Sequence, residues 1–216
     1  MRARLCEMWC RLSKNIASKS KADEIYHRLA FYYLQPGRNY HNLDHISDCL
    51  RKFEAVRFLA ESPNSIELAI WFHDAIYETW ARDNERRSAL VAEFFITKLM
   101  GLPEALAKQT ALEVKDFVIA TEHKTLVKFL NDDAKLITDI DLTPLGEEPE
   151  RFRINSENIR AEFSWVQEDV YRKERILELQ SFLKRSRIYS TPIFAKKYED
   201  RARENLTKEI VRLQTA

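Results

Sequence analysis

The sequence predicts an all-α fold, and two observations carry that prediction. Only 3 of the 216 residues are glycine, whereas a β-rich fold needs many tight turns that use glycine for positive φ. Apolar residues also recur at helical spacing in one stretch after another, in a chain rich in Leu, Ala, Glu, Lys and Arg. The sequence therefore favours helices joined by short loops over any fold that contains a sheet.

The predicted helices follow one another along the chain. Ile25, Leu29, Tyr32 and Tyr33 line one face of a helix that ends near the breaker cluster Gln35-Pro36-Gly37. An almost continuously apolar helix is expected in the middle of the bundle, because a helix that is apolar on most sides needs burial all round. The ranges predicted from Asn42 onward are Asn42 to about Ala60, Ile66 to Ile76 for the apolar helix, Asn84 to Met100, Pro103 to Ala120, Lys135 to Asp141, and further helices from Pro149 with a break at Ser190-Thr191-Pro192.

Length and composition favour one globular domain. Hydrophobic residues make up 45% and charged residues 32%, and the formal charge of +1 gives no electrostatic reason to expect nucleic acid as a partner. No long uncharged apolar run is present, so we expect no membrane span. The three cysteines form no CxxC pair and cannot all be paired within one chain, which predicts a reducing compartment, the cytoplasm. The sequence predicts no particular oligomeric state.

Histidine is scarce, with 5 in the chain, so its placement is informative. The segment Tyr40-His41-Asn42-Leu43-Asp44-His45 places two imidazoles four positions apart at a predicted helix N-terminus, on one face. His73 and Asp74 end the most buried helix, where an ionised carboxylate is costly unless a metal compensates. Asp139 and Asp141 follow beside another apolar segment. These side chains predict a mixed nitrogen and oxygen site for a divalent metal ion (Mn, Mg, Fe, Co, Ni or Zn) with open positions for water.

Each of these patterns alone has an ordinary structural explanation. A histidine pair at i,i+4 is more often surface or capping chemistry, an HD dipeptide occurs by chance, and either aspartate could cap a turn. The combination in one order along a helical chain is what favours a metal site: H-x3-H, then WFHD, then DxDL.

This order of motifs resembles the HD superfamily of metal-dependent phosphohydrolases. Longer strings resemble one bacterial subfamily of predicted HD phosphohydrolases: RNYHNLDHI, AIWFHDAIYE, NERRSA, ATEH, DIDLTPLG, RIYSTP and ARENL. The resemblance covers nearly the whole chain from about Ala22 onward. It implies an HD-domain helical bundle, a divalent metal and phosphoester hydrolysis. We expect a single domain over residues 1–216, with a metal-site core at about 38–146 and C-terminal helices 149–213 packing on it.

The resemblance also implies roles for individual residues. The metal ligands it implies are His45, His73, Asp74 and Asp141. Asp139 competes for the last place. On a helical wheel Asp141 lies beside Ile137 and Ile140, and Asp139 lies on the side away from Ile137, which favours Asp141 as ligand and leaves Asp139 to cap a turn or orient a neighbour.

The string YHNxxH resembles the metal motif of cyclic-nucleotide phosphodiesterases as well. There the first histidine donates a proton to the leaving oxygen and the second binds metal, which suggests these catalytic and ligand roles for His41 and His45. The chain is too short for that family's catalytic domain, so cyclic-nucleotide specificity is not implied.

Further residues are candidates for supporting roles. Arg38, His123 and Lys124 are predicted to bind the substrate phosphate, with ordinary surface roles as the alternatives. Asp74 is predicted to bind metal and, in addition, either to orient the attacking water or to bridge to a second ion. Glu85 is predicted to reach the metal or its water, or else to interact with a helix dipole.

The function predicted from the sequence is hydrolysis of a small phosphorylated substrate by a metal-activated water. The substrate classes are phosphomonoesters, phosphodiesters and nucleotides, and no motif selects among them. Two alternatives stay open. An HD-type di-iron oxygenase would need extra histidine ligands, for which only His41 and His123 are spare. A non-catalytic nucleotide-binding module is disfavoured by the intact set of ligand residues.

Overall fold

The computed structural model describes residues 2–14, 18–123 and 131–215. The regular structure of these residues is helical throughout, with no strand among them, which confirms the all-α prediction. The α-helices of the described residues are α1 (Arg2–Ser13), α2 (Lys19–Tyr33), α3 (Leu43–Val56), α4 (Pro63–Phe72), α5 (Asn84–Phe94), α6 (Glu104–Ala120), α7 (Asp132–Leu142), α8 (Pro149–Glu162), α9 (Glu168–Leu183) and α10 (Pro192–Thr215). Across the described ranges, none of the helices combines the length and apolar character that a membrane crossing requires.

The chain divides into two compact units, Met1–Thr138 and Asp139–Ala216. The division lies within α7, which is one continuous helix, so the first residues of α7 belong to one unit and its last turn belongs to the other. The single domain and the packing of helices 149–213 on a core stay predictions.

The first unit is built around α4, which contacts α3, α5 and α6. Every residue of α4 from Ser65 to Phe72 is buried, as its apolar sequence predicts. At its end, the Trp71 ring meets the Trp9 ring of α1 edge-on, with 5.4 Å between the ring centroids. This burial leaves the C-terminal end of α4, and the turn that follows it, inside the unit.

Helix α4 differs from the prediction at both ends. It begins at Pro63, because proline is accommodated in the first turn of a helix. The Asp133 carboxylate accepts the N–H groups of Glu61 and Ser62 just before it, at 2.9 and 2.7 Å. The helix ends at Phe72 and not at Ile76, so the HD dipeptide lies in a turn instead of on the helix.

Helix α3 begins later than predicted, at Leu43. Asn42 is its N-cap, with extended backbone and a side-chain oxygen that accepts the Asp44 N–H at 2.8 Å. His41 therefore precedes the helix. The prediction that His41 and His45 share one helical face is wrong, because the cap breaks the helical geometry between them.

In the second unit, α10 packs on α9 and on the 3₁₀ turn Thr143–Gly146 that follows α7. Glycine is required in this turn, since a Cβ on Gly146 would lie 2.7 Å from both Cβ and the carbonyl oxygen of Tyr198. The Tyr189 hydroxyl donates to the Leu142 carbonyl at 2.9 Å. The break predicted at Ser190-Thr191-Pro192 is confirmed, because α10 begins at Pro192.

Candidate metal centre

Two imidazoles and one carboxylate of the first unit converge between the start of α3 and the turn after α4. The Nε2 atoms of His45 and His73 lie 3.1 Å apart. Asp74 Oδ2 lies 3.1 Å from His73 Nε2 and 3.6 Å from His45 Nε2. All three side chains are buried. Three potential ligand atoms thus form a small triangle in the interior of the unit.

The tautomer of His73 follows from its backbone contact. His73 Nδ1 lies 2.8 Å from the Ile70 carbonyl oxygen. A carbonyl can only accept, so Nδ1 carries a hydrogen and donates it. In the neutral ring, Nε2 then presents its lone pair toward His45 and Asp74. A backbone carbonyl behind a ligating histidine is the arrangement that commonly orients such rings at metal sites.

The charge of Asp74 is set by opposing effects. Burial raises the pKa of its carboxyl, but the neighbouring imidazoles of His73, His41 and His45 lower the pKa further than burial raises it. The net pKa lies below the ordinary range of an aspartate, so Asp74 is a carboxylate at neutral pH. The triangle therefore offers one negative charge and two imidazole nitrogens to a cation.

Helix α7 carries a further carboxylate. Asp141, the fourth ligand implied by the resemblance, belongs to the second unit, and its role stays a prediction. Asp141 is half-buried in the last turn of α7.

The donor set fits a divalent ion in both spacing and chemistry. Nitrogen and oxygen atoms bound to one ion at about 2.0–2.2 Å lie roughly 2.8–3.1 Å apart at octahedral angles and roughly 3.3–3.6 Å apart at tetrahedral angles. The 3.1 Å contacts of His73 Nε2 and the 3.6 Å contact of Asp74 with His45 lie within these limits. Imidazole and carboxylate ligands suit Mn, Fe, Co, Ni and Zn. The chain therefore has a His/His/Asp cluster that could hold a metal ion.

The chain matches no known protein family, no curated protein and no solved structure. The case for the metal centre consequently rests on the chemistry and geometry of its own residues.

Asp139, the competitor of Asp141, has a different set of partners. Its carboxylate accepts the N–H of Ser190 at 2.7 Å, and both the N–H and the hydroxyl of Thr191 at 2.7 and 2.6 Å. Burial raises the pKa of Asp139 more than these hydrogen bonds lower it. The carboxylate thus satisfies donors immediately before α10 within the second unit.

The burial of the two aspartates does not follow their positions on the helical wheel. Leu136, Ile137 and Ile140 are buried as predicted, but Asp139 is fully buried too, whereas Asp141 is half-buried. The wheel compared only the apolar side chains of α7 and could not include the donors at Ser190 and Thr191, which are distant in sequence.

His41 lies beside the cluster and is held by aromatic rings. Its ring stacks on Tyr77 with 3.8 Å between centroids and an interplanar angle of 24°. Tyr40 meets it edge-on at 4.8 Å, and the centroid of the His45 ring is 6.1 Å away. The imidazole is half-buried. It is therefore restrained next to the ligand atoms without being one of the three.

Arg38 contacts the backbone on both sides of the cluster. Its Nη1 donates to the carbonyl oxygens of His41 at 3.0 Å and Asp74 at 2.6 Å, and its Nη2 donates to the Ala75 carbonyl at 2.8 Å. The guanidinium carbon also lies 5.3 Å from the centroid of the Tyr33 ring and 5.8 Å from that of Tyr77. Its predicted phosphate contact stays a prediction.

Three further residues are predicted to bind the substrate or to support the metal site. His123 follows α6 in the left-handed region, with φ 57°, and Glu85 is half-buried in the first turn of α5. Neither belongs to the group of ligand atoms around His45. Lys124 lies outside the described residues. The roles proposed for these three residues stay predictions.

Sequence reasoning missed three supporting side chains. Tyr77 stacks on His41, and nothing in its spacing signals that contact. Cys49 Sγ lies 3.7 Å from His45 Nε2, one helical turn along α3, a spacing that could have revealed it. Ser88 Oγ accepts the Ile76 N–H at 2.9 Å and donates to the Ile76 carbonyl at 3.1 Å, which holds the turn after the HD dipeptide.

Proposed function

We propose that this protein is a metal-dependent phosphohydrolase of the HD type. The observation that carries the proposal is the buried triangle of His45 Nε2, His73 Nε2 and Asp74 Oδ2, with sides of 3.1, 3.1 and 3.6 Å. The order of these residues along the chain and their resemblance to the HD superfamily turn a general metal site into a specific proposal.

In this proposal the ligands are His45, His73, Asp74 and Asp141. A divalent ion held by these residues would supply a water of lowered pKa and would neutralise charge on the phosphoryl oxygens. Asp74 is ionised, and its second carboxylate oxygen can accept a hydrogen bond from the attacking water. The hydrogen bond from His73 Nδ1 to the Ile70 carbonyl keeps the lone pair of Nε2 available for a metal ion.

His41 is the proposed proton donor. An imidazole can hold and release a proton near neutral pH, and departure of an alkoxide from phosphorus is accelerated when a proton is transferred to it. Stacking on Tyr77 limits rotation of the His41 ring while leaving it half-buried.

The proposed substrate is a small phosphoester, with nucleotides among the candidates. Two other functions compete with this one: an HD-type di-iron oxygenase and a nucleotide-binding module without turnover. No contact among the described residues favours either of them, so each is treated as an outcome of the experiment.

The test is a panel of phosphomonoesters, phosphodiesters and nucleotides assayed with Mn²⁺, Mg²⁺, Co²⁺, Ni²⁺, Fe²⁺ and Zn²⁺. We expect hydrolysis that depends on added metal and is lost in His73→Ala. His27→Ala is the matched control, because it removes an imidazole outside the cluster. Iron-dependent O2 consumption without hydrolysis would favour the oxygenase, and nucleotide binding without turnover would favour the binding module.

A further inference from the structure

The two segments that carry the cluster approach each other through backbone that is not helical. His41 and Asn42 form a turn before α3, and His73, Asp74 and Ala75 form a turn after α4. Helix hydrogen bonding therefore does not fix the position of one turn relative to the other. Buried turn carbonyls also need donors from outside the turn.

Arg38 supplies those donors to both turns at once. Three of its hydrogen bonds end on main-chain carbonyls, one in the turn before α3 (His41) and two in the turn after α4 (Asp74 and Ala75). A guanidinium is planar and rigid, so it fixes the spacing of the carbonyls that it bridges better than a flexible ammonium does.

The surroundings of Arg38 limit its freedom further. The guanidinium lies near the rings of Tyr33 and Tyr77, and Tyr77 in turn stacks on His41. Tyr33 is itself fixed, since its buried hydroxyl donates to the Trp71 carbonyl at 2.9 Å, two residues before His73. Arg38 thus connects the end of α2, the turn that contains His41 and the turn that contains His73 and Asp74.

We infer that Arg38 is a positioning residue of the metal centre, which sets the distance between His45 and the His73–Asp74 pair by bridging the two turns. This inference rests on the proposed function, because it concerns the same ligands. It assigns Arg38 to the protein backbone in place of the substrate phosphate. Loss of the bridge should weaken metal binding even when no substrate is present.

The experiment is a Co²⁺ titration in phosphate-free buffer. Calorimetry measures the Kd, and the visible absorption of the bound ion reports its ligand geometry. In Arg38→Met we expect Kd to rise by about tenfold or more, the usual effect of removing a partner that orients metal ligands, with an altered absorption spectrum. Arg38→Lys keeps the charge, but a compact ammonium cannot cover the spacing that Nη1 and Nη2 cover together, so its Kd should be intermediate.

Two controls separate positioning from general destabilisation. Asp133→Asn weakens the hydrogen bonds at the opposite end of α4, roughly 15 Å away for a ten-residue helix. Arg51→Met removes an exposed guanidinium from α3. Both controls should keep the wild-type Kd and spectrum at temperatures well below their unfolding transitions.

A wild-type Kd and spectrum in Arg38→Met would overturn the inference. The same result together with a raised KM for nitrophenyl phosphate would assign Arg38 to substrate binding instead. If Arg38→Met does not fold, Arg38→Lys decides: a Kd no higher than that of Asp133→Asn overturns the inference. Absence of Co²⁺ binding in the wild-type protein would refute the proposed function, whereas wild-type binding that Arg38 variants share would refute the inference alone.

Discussion

His73 illustrates how a single contact prepares a side chain for metal. Its Nδ1 donates to the Ile70 carbonyl one turn earlier, which leaves the Nε2 lone pair directed at His45 and Asp74. The neighbouring Asp74 is buried, yet the imidazoles around it hold its pKa low. A cation at this point would be bound by the Asp74 carboxylate and by imidazole nitrogens at the same time.

Replacement of His41 should separate binding from turnover. In His41→Ala we expect the metal affinity of the wild-type protein, since His41 is not among the three converging ligand atoms. Turnover of alkyl phosphoesters should fall by roughly 10²- to 10⁴-fold, because their leaving groups need a proton. Nitrophenyl phosphate needs little protonation and should be spared in comparison. Equal losses of kcat on the two kinds of ester would argue against His41 as the proton donor.

The two aspartates of α7 provide a matched pair of variants. Asp141→Asn should raise the Kd for metal, because it removes the negative charge of a proposed carboxylate ligand. Asp139→Asn should instead lower the free energy of unfolding by about 1–3 kcal/mol, since an amide cannot satisfy all the donors at Ser190 and Thr191. Calorimetric titration and urea denaturation measure the two effects. If Asp139→Asn loses the metal and Asp141→Asn keeps it, the ligand assignment is reversed.

At the scale of elements, periodicity predicts most helices but not their ends. The apolar run around Trp71 predicts a helix that continues to Ile76, because Ala75 and Ile76 are as apolar as the residues before them. The helix ends at Phe72 instead, where Arg38 and Ser88 take over the hydrogen bonding of the following turn. Those partners lie 12 or more residues away, so local spacing could not reveal them.

The last turn of α7 is tied to the start of α10 through Tyr189, and this contact predicts a pH effect. Burial, together with the nearby Asp139 and Glu199 carboxylates, raises the pKa of the Tyr189 hydroxyl. Above about pH 10 the unfolded chain releases this proton while the folded chain keeps it. The contribution of Tyr189 to stability is therefore complete below pH 10 and is lost as the pH rises, by about 1.4 kcal/mol per pH unit.

Urea denaturation between pH 9 and 11 can measure this dependence. Tyr189→Phe lacks the ionisable group, so its free energy of unfolding should decline less steeply above pH 10 than that of the wild-type protein. The slopes of the free energy of unfolding against pH should differ by an amount that approaches about 1.4 kcal/mol per pH unit, which corresponds to one proton. Identical slopes would show that Tyr189 ionises equally readily in the folded and unfolded chains.

For the whole molecule, composition and apolar periodicity together predict the fold class. Scarcity of glycine and helical periodicity indicate an all-α chain, and the described residues are helical without a strand. The candidate ligands can be predicted from the sequence for a similar reason, since His45, His73 and Asp74 stand out by residue type in apolar surroundings. The side chains that hold these ligands in place cannot be predicted in this way, because Arg38 and Tyr77 act through contacts between segments that only the folded chain brings together.

The most direct test of the account is a divalent-metal titration of the purified, chelator-treated chain, monitored by calorimetry and by thermal unfolding. We predict at least one bound ion per chain and a rise in Tm, because an ion that binds only the folded state stabilises it by about 2.7 kcal/mol at 100 times Kd. His73→Ala should keep its helical circular dichroism but lose both effects, and His27→Ala should retain them. Wild-type metal content and the same metal-dependent rise in Tm in His73→Ala would contradict the assignment of the metal to this cluster.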